Sequence, residues 1–341
     1  MNKSQMLQDM ILSDLQNGKF KPGDPIPSRN QLSRKYKCSR NTVERAVAAL
    51  KQRGRLVSTQ GGATRVAALP DQDPGITEMY IVSGSQPEYA ERAIREMFFP
   101  ALDEKLTIHV IRENDLLRHV DVISHPGTAV IWVMPDVDSI AQMTLFERAN
   151  VPQLLINRIY KHFSYAATDT YGSLQDGLEW LCSHAGNTCA VVSRSADLNV
   201  PYLSERQLAF FRVAAEKGVR VDPEQIHFDS FQEFPVKVSE VGCKLFASGD
   251  PPKGIVILDA TLTVPLVTLG HIHGMMPGRD YFLLTYDYHS ELSHYDGVLM
   301  LRQQNEKLYK ESWRWLQEGF AGKRTPFYSS VKTELVFGKN H

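Results

Sequence analysis

Four cysteines are all that the 341-residue chain contains, at 38, 182, 189 and 243, and no two stand in a CxxC spacing. That spacing argues against a zinc ribbon or a dithiol redox pair, and fits free thiols in a reducing cytosol better than a disulfide scaffold. No apolar run approaches the roughly 20 residues that cross a bilayer. The clearest runs, 128–135 and 254–258, are far shorter, and residues 1–9 are polar, without the apolar core of a secretion signal. A soluble cytoplasmic protein with no membrane partner is expected. There is no GxSxG, no P-loop and no GxGxxG with the right flanks, so no nucleophile elbow or nucleotide cradle. His271-Ile272-His273 is the nearest approach to a metal pair, and it has no third ligand close by. Neither a metal nor a cofactor is expected.

A net charge of −1 hides a division. Residues 1–66 hold 13 of the 38 Lys+Arg and four of the 39 Asp+Glu, a balance of +9; the other 25 basic and 35 acidic residues leave −10. A basic end that meets a polyanion, joined to an acidic body that does not, is the reading this asymmetry supports. The length predicts two or three compact units.

The basic end reads as three helices and a hairpin. Residues 3–17 carry one apolar stripe, Met6, Leu7, Met10, Ile11 and Leu15, stopped by Gly18. Ser28 with Gln31 has capping-box spacing and opens a second helix with Leu32 and Tyr36 inward. Ser39 caps a third, whose inward positions are Val43, Ala46, Val47 and Leu50. Residues 55–59 and 63–66 alternate as two short strands around Gln60-Gly61-Gly62. Together these predict a winged helix-turn-helix. The third helix begins with Arg40, Asn41 and Thr42. Arg suits a bidentate bond to guanine, Asn suits adenine, and hydroxyls suit phosphate oxygens.

Residues 7–66 resemble the winged-helix domain of the GntR family of bacterial regulators. The likeness runs from Gly18-Lys19-Phe20-Lys21-Pro22-Gly23-Asp24 through Ile26-Pro27-Ser28 and Ser39-Arg40-Asn41-Thr42-Val43 to Gly61 and Val66. It implies that Arg40, Asn41 and Thr42 read or anchor double-stranded operator DNA and that Gln60-Gly61 approaches the minor groove. Ser28, Arg29, Ser39 and Arg45 complete the expected DNA-facing set. Family members often carry Glu-Arg after Pro-Ser, whereas this chain has Arg29-Asn30; Arg29 is expected to supply that contact from the neighbouring position.

Residues 68–77 read as a linker, with two prolines, a glycine and no period. Beyond it, short apolar runs alternate with helical stretches. Strands are expected at 79–82, 107–111, 129–134, 153–156, 188–193, 254–258, 281–286 and 331–337. Helices are expected at 87–103, 137–149, 172–184, 203–217, 262–270 and 304–318. Repeated β-then-α segments predict parallel sheets, and 264 residues are many for one sheet, so two α/β lobes are expected.

Ligands of open α/β sheets sit beyond the carboxyl ends of the strands. Polar residues follow the apolar runs at Ser83 and Ser85, Asn157 and Arg158, Asp169, Ser193-Arg194, Asp259 and Asp287. Such amides, carboxylates and guanidinium groups suit a polyhydroxylated ligand, and Tyr89, Tyr160, Tyr202 or Phe231 could stack on a sugar face. Each Asp at a strand–helix junction is equally a helix cap that needs no ligand.

Residues 78–338 resemble the effector domain of the LacI/GalR family, itself similar to periplasmic sugar-binding proteins. The likeness rests on Val151-Pro152-Gln153-Leu154-Leu155-Ile156-Asn157-Arg158, Thr168-Asp169-Thr170-Tyr171-Gly172, Arg206-Gln207-Leu208-Ala209-Phe210, Thr285-Tyr286-Asp287-Tyr288 and Leu301-Arg302-Gln303-Gln304. It implies that Arg206 holds sugar hydroxyls and that Asn157 contacts the ligand, while Tyr286-Asp287 matches the family's Gly-Tyr-Asp-Asp segment. Ala209 stands where the family has Gly, and Leu258-Asp259 where it usually has Asn-Asp.

The expected architecture is an N-terminal winged helix-turn-helix (1–67), a linker (68–77) and a two-lobed, periplasmic-binding-protein-like α/β domain (78–341). This combination is similar to arabinose-responsive repressors of the GntR type. A homodimeric, sugar-responsive repressor is the function it implies. An activator, a non-sugar effector such as a purine, or a sugar-processing enzyme using Asp259 and Asp287 as paired carboxylates are the alternatives.

Overall fold

The computed structural model describes residues 6–8, 10, 11, 14, 20, 23–52, 56–58, 63–66, 76–83, 106–160, 162–196, 201–319 and 326–339. The expected helix at 87–103, most of the linker and the wing tip lie outside the described residues. The chain divides into two compact units, Met1–Gly75 and Ile76–His341.

In the first unit, α1 (Arg29–Lys35) starts with a full capping box: Ser28 Oγ accepts from Gln31 N, and the Ser28 amide donates to Gln31 Oε1 at 2.8 Å. Lys37 takes φ +48° in the turn. Ser39 then accepts from Thr42 N at 3.2 Å and opens α2 (Arg40–Gln52). The predicted stripe is realised. Leu32, Val43, Ala46, Val47 and Leu50 are all buried, packed with Leu7, Ile11, Leu56 and Val66. Each of the buried Val, Leu and Ile side chains contributes about 2 kcal/mol. Met6, expected inside, is exposed instead. β1 (Leu56–Val57) pairs antiparallel with β2 (Arg65–Val66).

Among the described residues, the second unit holds two six-stranded sheets. The first contains β3 (Glu78–Ser83), β4 (Thr107–Arg112), β5 (Thr128–Val133), β6 (Gln153–Ile156), β7 (Ser164–Thr168) and β13 (Tyr328–Val331), in the order β13-β7-β6-β5-β3-β4. All its pairings are parallel. The second contains β8 (Ala190–Arg194), β9 (Ile226–Asp229), β10 (Gly254–Ile257), β11 (Phe282–Tyr286), β12 (Val298–Arg302) and β14 (Glu334–Phe337), in the order β14-β12-β11-β10-β8-β9. Only β14 runs antiparallel to its neighbour.

Helices cover both faces, which explains why the central strands are apolar throughout. On the first sheet, α3 (Ile140–Arg148) packs Met143 and Phe146 on one face, and α8 (Asn305–Gly319) packs Leu308, Tyr309 and Trp315 on the other. On the second sheet, α4 (Thr170–Ala185) and α5 (Pro201–Lys217) share one core, and α6 (Phe234–Phe246) and α7 (Ala260–Ile272) another.

The chain passes between the sheets three times: after β7, after β12, and between β13 and β14. The passages are bonded to one another. Asp169 N donates to Val331 O at 2.8 Å, Gln304 Nε2 to Lys332 O at 2.8 Å, and Thr333 N to Ser173 Oγ at 2.9 Å. The tail at 331–337, which alternates like one strand, is therefore two, broken at Lys332-Thr333 and shared between sheets.

Candidate functional site

The first unit presents the start of α2 to solvent. Ser39, Arg40, Asn41 and Arg45 are exposed and Thr42 is half-buried, because the inward stripe uses the opposite face. No described residue forms an ion pair with Arg40 or Arg45. Such a helix start offers unpaired amides and a positive dipole end to a phosphate. Ser28 is exposed at the head of α1, its side chain engaged in the capping box. Arg29 is held differently. Its Nη1 donates to Thr64 Oγ1 at 2.7 Å, beside the second wing strand, and its Nε lies 3.7 Å from Glu44 of α2. It therefore braces the wing against the recognition helix. Gln60 and Gly61 lie outside the described residues.

In the second unit, the carboxyl ends of the strands carry a polar network that spans both sheets. Asn157 follows β6 and Asp287 follows β11, each in a left-handed conformation, φ +57° and +69°. Asn and Asp tolerate that conformation better than other side-chain-bearing residues. Asn157 Nδ2 donates to Gln303 Oε1 at 2.7 Å, and its Oδ1 accepts from Thr168 Oγ1 at 3.0 Å. Gln303 Nε2 donates in turn to Asp287 Oδ1. Asp287 Oδ2 accepts from Arg206 Nη2 at 3.2 Å, and Arg206 Nη1 donates to Leu258 O at 2.9 Å. Arg206 is only 6% exposed, with its guanidinium 3.8 Å from the Tyr286 ring centre.

Tyr202 of α5 is the second junction. Arg206 and Arg158 lie 5.0 and 5.1 Å from its ring centre, and Arg194 Nη2 donates to its hydroxyl at 3.2 Å. Arg194 is paired with Asp259, whose hydrogen bond holds that guanidinium above its ordinary range. Among the described residues Arg158 has no such partner, and burial holds it below its ordinary range.

Four of the expected effector residues, Asn157, Arg158, Arg206 and Asp287, thus meet through Gln303 and Tyr202. Asp259 is 1% exposed and fully engaged: Oδ1 accepts from Thr261 N and Oγ1 at 3.1 and 2.9 Å, while Oδ2 takes Arg194. It caps α7 and positions Arg194. Asp169 caps α4, accepting from Gly172 N at 2.9 Å. A Cβ on Gly172 would run into that carboxylate, which accounts for the Asp-then-Gly pattern. Ser83 is buried at the end of β3 and makes no hydrogen bond to this network. Ser85 and Tyr89 lie outside the described residues. Gln303 was not among the expected ligand residues, although it follows the apolar run Val298–Arg302 as the others follow theirs. No group of three or more His, Cys, Asp or Glu among the described residues could hold a metal ion. No described helix is long and apolar enough to cross a membrane.

Residues 3–66 match the family model "Bacterial regulatory proteins, gntR family". Over 134 residues the chain is 28% identical to the arabinose metabolism transcriptional repressor of Geobacillus stearothermophilus, a match covering 37% of this chain and 36% of that one. The chain therefore matches only about a third of that curated relative's length. Among solved structures, a transcription regulator from Lactobacillus plantarum superposes with a TM-score of 0.60 at 10% identity, over 76% of this chain and 97% of that one. A LacI family transcriptional regulator from Bifidobacterium animalis subsp. lactis gives 0.60 at 12% identity, over 77% and 96%. The transcriptional regulator CelR in complex with cellobiose gives 0.59 at 14% identity, over 92% and 100%. Residues 3–66 are a GntR-type helix-turn-helix domain, and the α/β body has the fold of LacI-type regulators.

Proposed function

We propose that the chain is a transcription regulator, a repressor whose hold on operator DNA is controlled by a sugar or sugar derivative. The observation that carries this reading is the hydrogen-bonded run Asn157–Gln303–Asp287–Arg206, which joins the two lobes of a LacI-type body attached to a GntR-type reader. Polar groups contributed by both lobes suit a ligand with several hydroxyls. The relative that represses arabinose metabolism and the structure holding cellobiose point to the same ligand class.

In this reading the reader occupies residues 1–67, a linker 68–77, and the effector and dimerisation domain 78–341. Arg40, Asn41 and Thr42 contact base edges or phosphates, with Ser28, Ser39, Arg45, Gln60 and Gly61 around them and Arg29 bracing the wing. Asn157, Arg158, Arg206 and Asp287 contact the effector, joined by Ser83, Ser85 and Tyr89, while Asp169 and Asp259 support them from the starts of α4 and α7. The protein acts in the cytoplasm as a homodimer, two readers meeting a pseudo-palindrome. Effector binding favours one lobe arrangement, and its differential affinity for the two arrangements changes DNA affinity by about 5–150-fold, the usual range of allosteric coupling.

The test is a thermal-shift panel of aldopentoses, aldohexoses and disaccharides on the full chain, followed by product analysis of every hit. Stabilisation with the sugar recovered intact is the expected result. Conversion of the sugar overturns the reading in favour of an enzyme.

A further inference from the structure

Three guanidinium groups meet at Tyr202, and two of them have a counter-charge. Arg194 pairs with Asp259, and Arg206 with Asp287. The third, Arg158, comes from the end of β6 in the other lobe. Its guanidinium and that of Arg206 lie 5.1 and 5.0 Å from the Tyr202 ring centre. No described carboxylate stands within 4.0 Å of Arg158.

The hydrogen bonds of Arg158 are equally incomplete. Nη1 donates to the Asn157 carbonyl at 2.8 Å, whereas Nε is buried without a partner and no described residue accepts from Nη2. Nε and Nη2 form one edge of the guanidinium, a fork that can grip two oxygens of a carboxylate or phosphate in parallel. The neighbouring oxygen acceptors are already engaged. The two carboxylate oxygens of Asp287 hold Gln303 and Arg206, and those of Asp259 hold Thr261 and Arg194. Asn157 Oδ1 and Gln303 Oε1 both accept from Thr168 Oγ1. A sugar hydroxyl needs an acceptor for its own proton as well as a donor, while a carboxylate or phosphate oxygen needs donors alone. The surplus here is therefore one of donors and of positive charge together.

We infer that the effector is a sugar bearing an oxyanion, a carboxylate or a phosphate, gripped by the Nε–Nη2 edge of Arg158 beside Tyr202 and Arg206. The inference rests on the sugar-responsive reading above and narrows its ligand class. The anion supplies the counter-charge that a half-buried cation otherwise lacks. Overall charge cannot create such a preference, because residues 67–341 carry −10. Two acidic groups of the first lobe, Asp136 and Glu113, act against the anion, and neither lies within 4.0 Å of Arg158. Asp136 is exposed, and burial pushes the Glu113 carboxyl up to about 7, which leaves it partly protonated near neutral pH.

The experiment is calorimetric titration of the full chain, at one pH and salt concentration, with D-glucose, D-galactose, D-ribose and L-arabinose, each beside its carboxylate and its phosphate ester. Acetate and inorganic phosphate serve as controls. In at least one set an anionic member should bind about 10–100-fold more tightly than its neutral parent, and which member does so identifies the oxyanion. Arg158→Gln should bring that ratio close to one, and Arg158→Lys, which keeps the charge but loses the fork, should retain part of it. Melting temperatures without ligand verify folding; Arg158→Gln should melt at or above the unsubstituted protein, because it removes a half-buried charge that lacks an ion-pair partner. If neutral sugars bind as tightly as their anionic counterparts, or if Arg158→Gln leaves the ratio unchanged, this inference is refuted and the sugar reading stands. Acetate or inorganic phosphate binding as tightly as the sugar anion refutes it too, since the site then holds an adventitious ion only. If neither a neutral sugar nor an anionic one binds, the sugar reading fails and takes this inference with it.

Discussion

Gln303 ties Asn157 to Asp287: its carbonyl oxygen accepts from Asn157 at 2.7 Å while its amide donates to the Asp287 carboxylate. One side chain, on a passage between the sheets, thereby bridges the end of a strand in each lobe. Asn157→Ala and Asp287→Ala should consequently be non-additive. A double-mutant cycle on unfolding free energy should give a coupling of about 1 kcal/mol, which Gln303→Ala abolishes. Strict additivity would show that the bridge carries no energy. The effector response is expected to fall in all three variants.

Arg206 is a heavily committed charge, 6% exposed, bonded to Asp287 and Leu258 O and lying over Tyr286. Removing one partner of such a pair leaves the other poorly compensated. Arg206→Ala should destabilise by about 3 kcal/mol, and Arg206→Lys by less, since an ammonium keeps the charge but loses the two-pronged geometry. Denaturant titration measures both.

Arg40 and Arg29 should fail in different ways. Arg40 is exposed at the start of the recognition helix, so Arg40→Ala should weaken specific operator binding by about 1–3 kcal/mol, roughly 5–150-fold, at unchanged melting temperature. Arg29 is bonded to Thr64, so Arg29→Ala should lower stability by about 1 kcal/mol as well as affinity. Gel-shift titrations at one fixed salt concentration, with melting curves, separate the two. Normal operator binding by Arg40→Ala would move the recognition surface elsewhere.

His227 and His289 each have a buried Nε2 with no hydrogen-bond partner among the described residues, and burial holds both below the ordinary histidine value of 6.5. In the unfolded chain they take up a proton near 6.5; in the folded chain they resist it until the pH is lower. Their contribution to stability is therefore intact above 6.5 and is lost as the pH falls through that value toward the folded pKa. Melting temperature should drop between pH 7.5 and 5.5, by about 2–4 °C for each kcal/mol lost. His227→Gln should flatten the drop.

Much of this was legible because it is local. Capping at Ser28 and Ser39, the stripe through Val43 and Leu50, and the apolar runs of the central strands depend on neighbours within a few residues. Charge division needs no fold at all. The reader, the repeated β-α pattern and the strand ends bearing Asn157, Asp259 and Asp287 could therefore be placed from residue order. Short edge elements such as Ile226–Asp229 could not, because four residues carry too little period.

What the tertiary structure alone decided is which polar side chains face one another. Asn157 and Gln303 are 146 positions apart, and nothing local couples them. Asp259 and Asp287 look alike in sequence, each an aspartate after an apolar strand. Only the fold shows that Asp259 is spent on Arg194 and its own helix, while Asp287 joins the network between the lobes. Likewise the alternation at 331–337 determined that strands would form, but not that the chain would change sheets between them. Strand propensity is set along the chain; partners are set across it, by the three passages that bring the two sheets together.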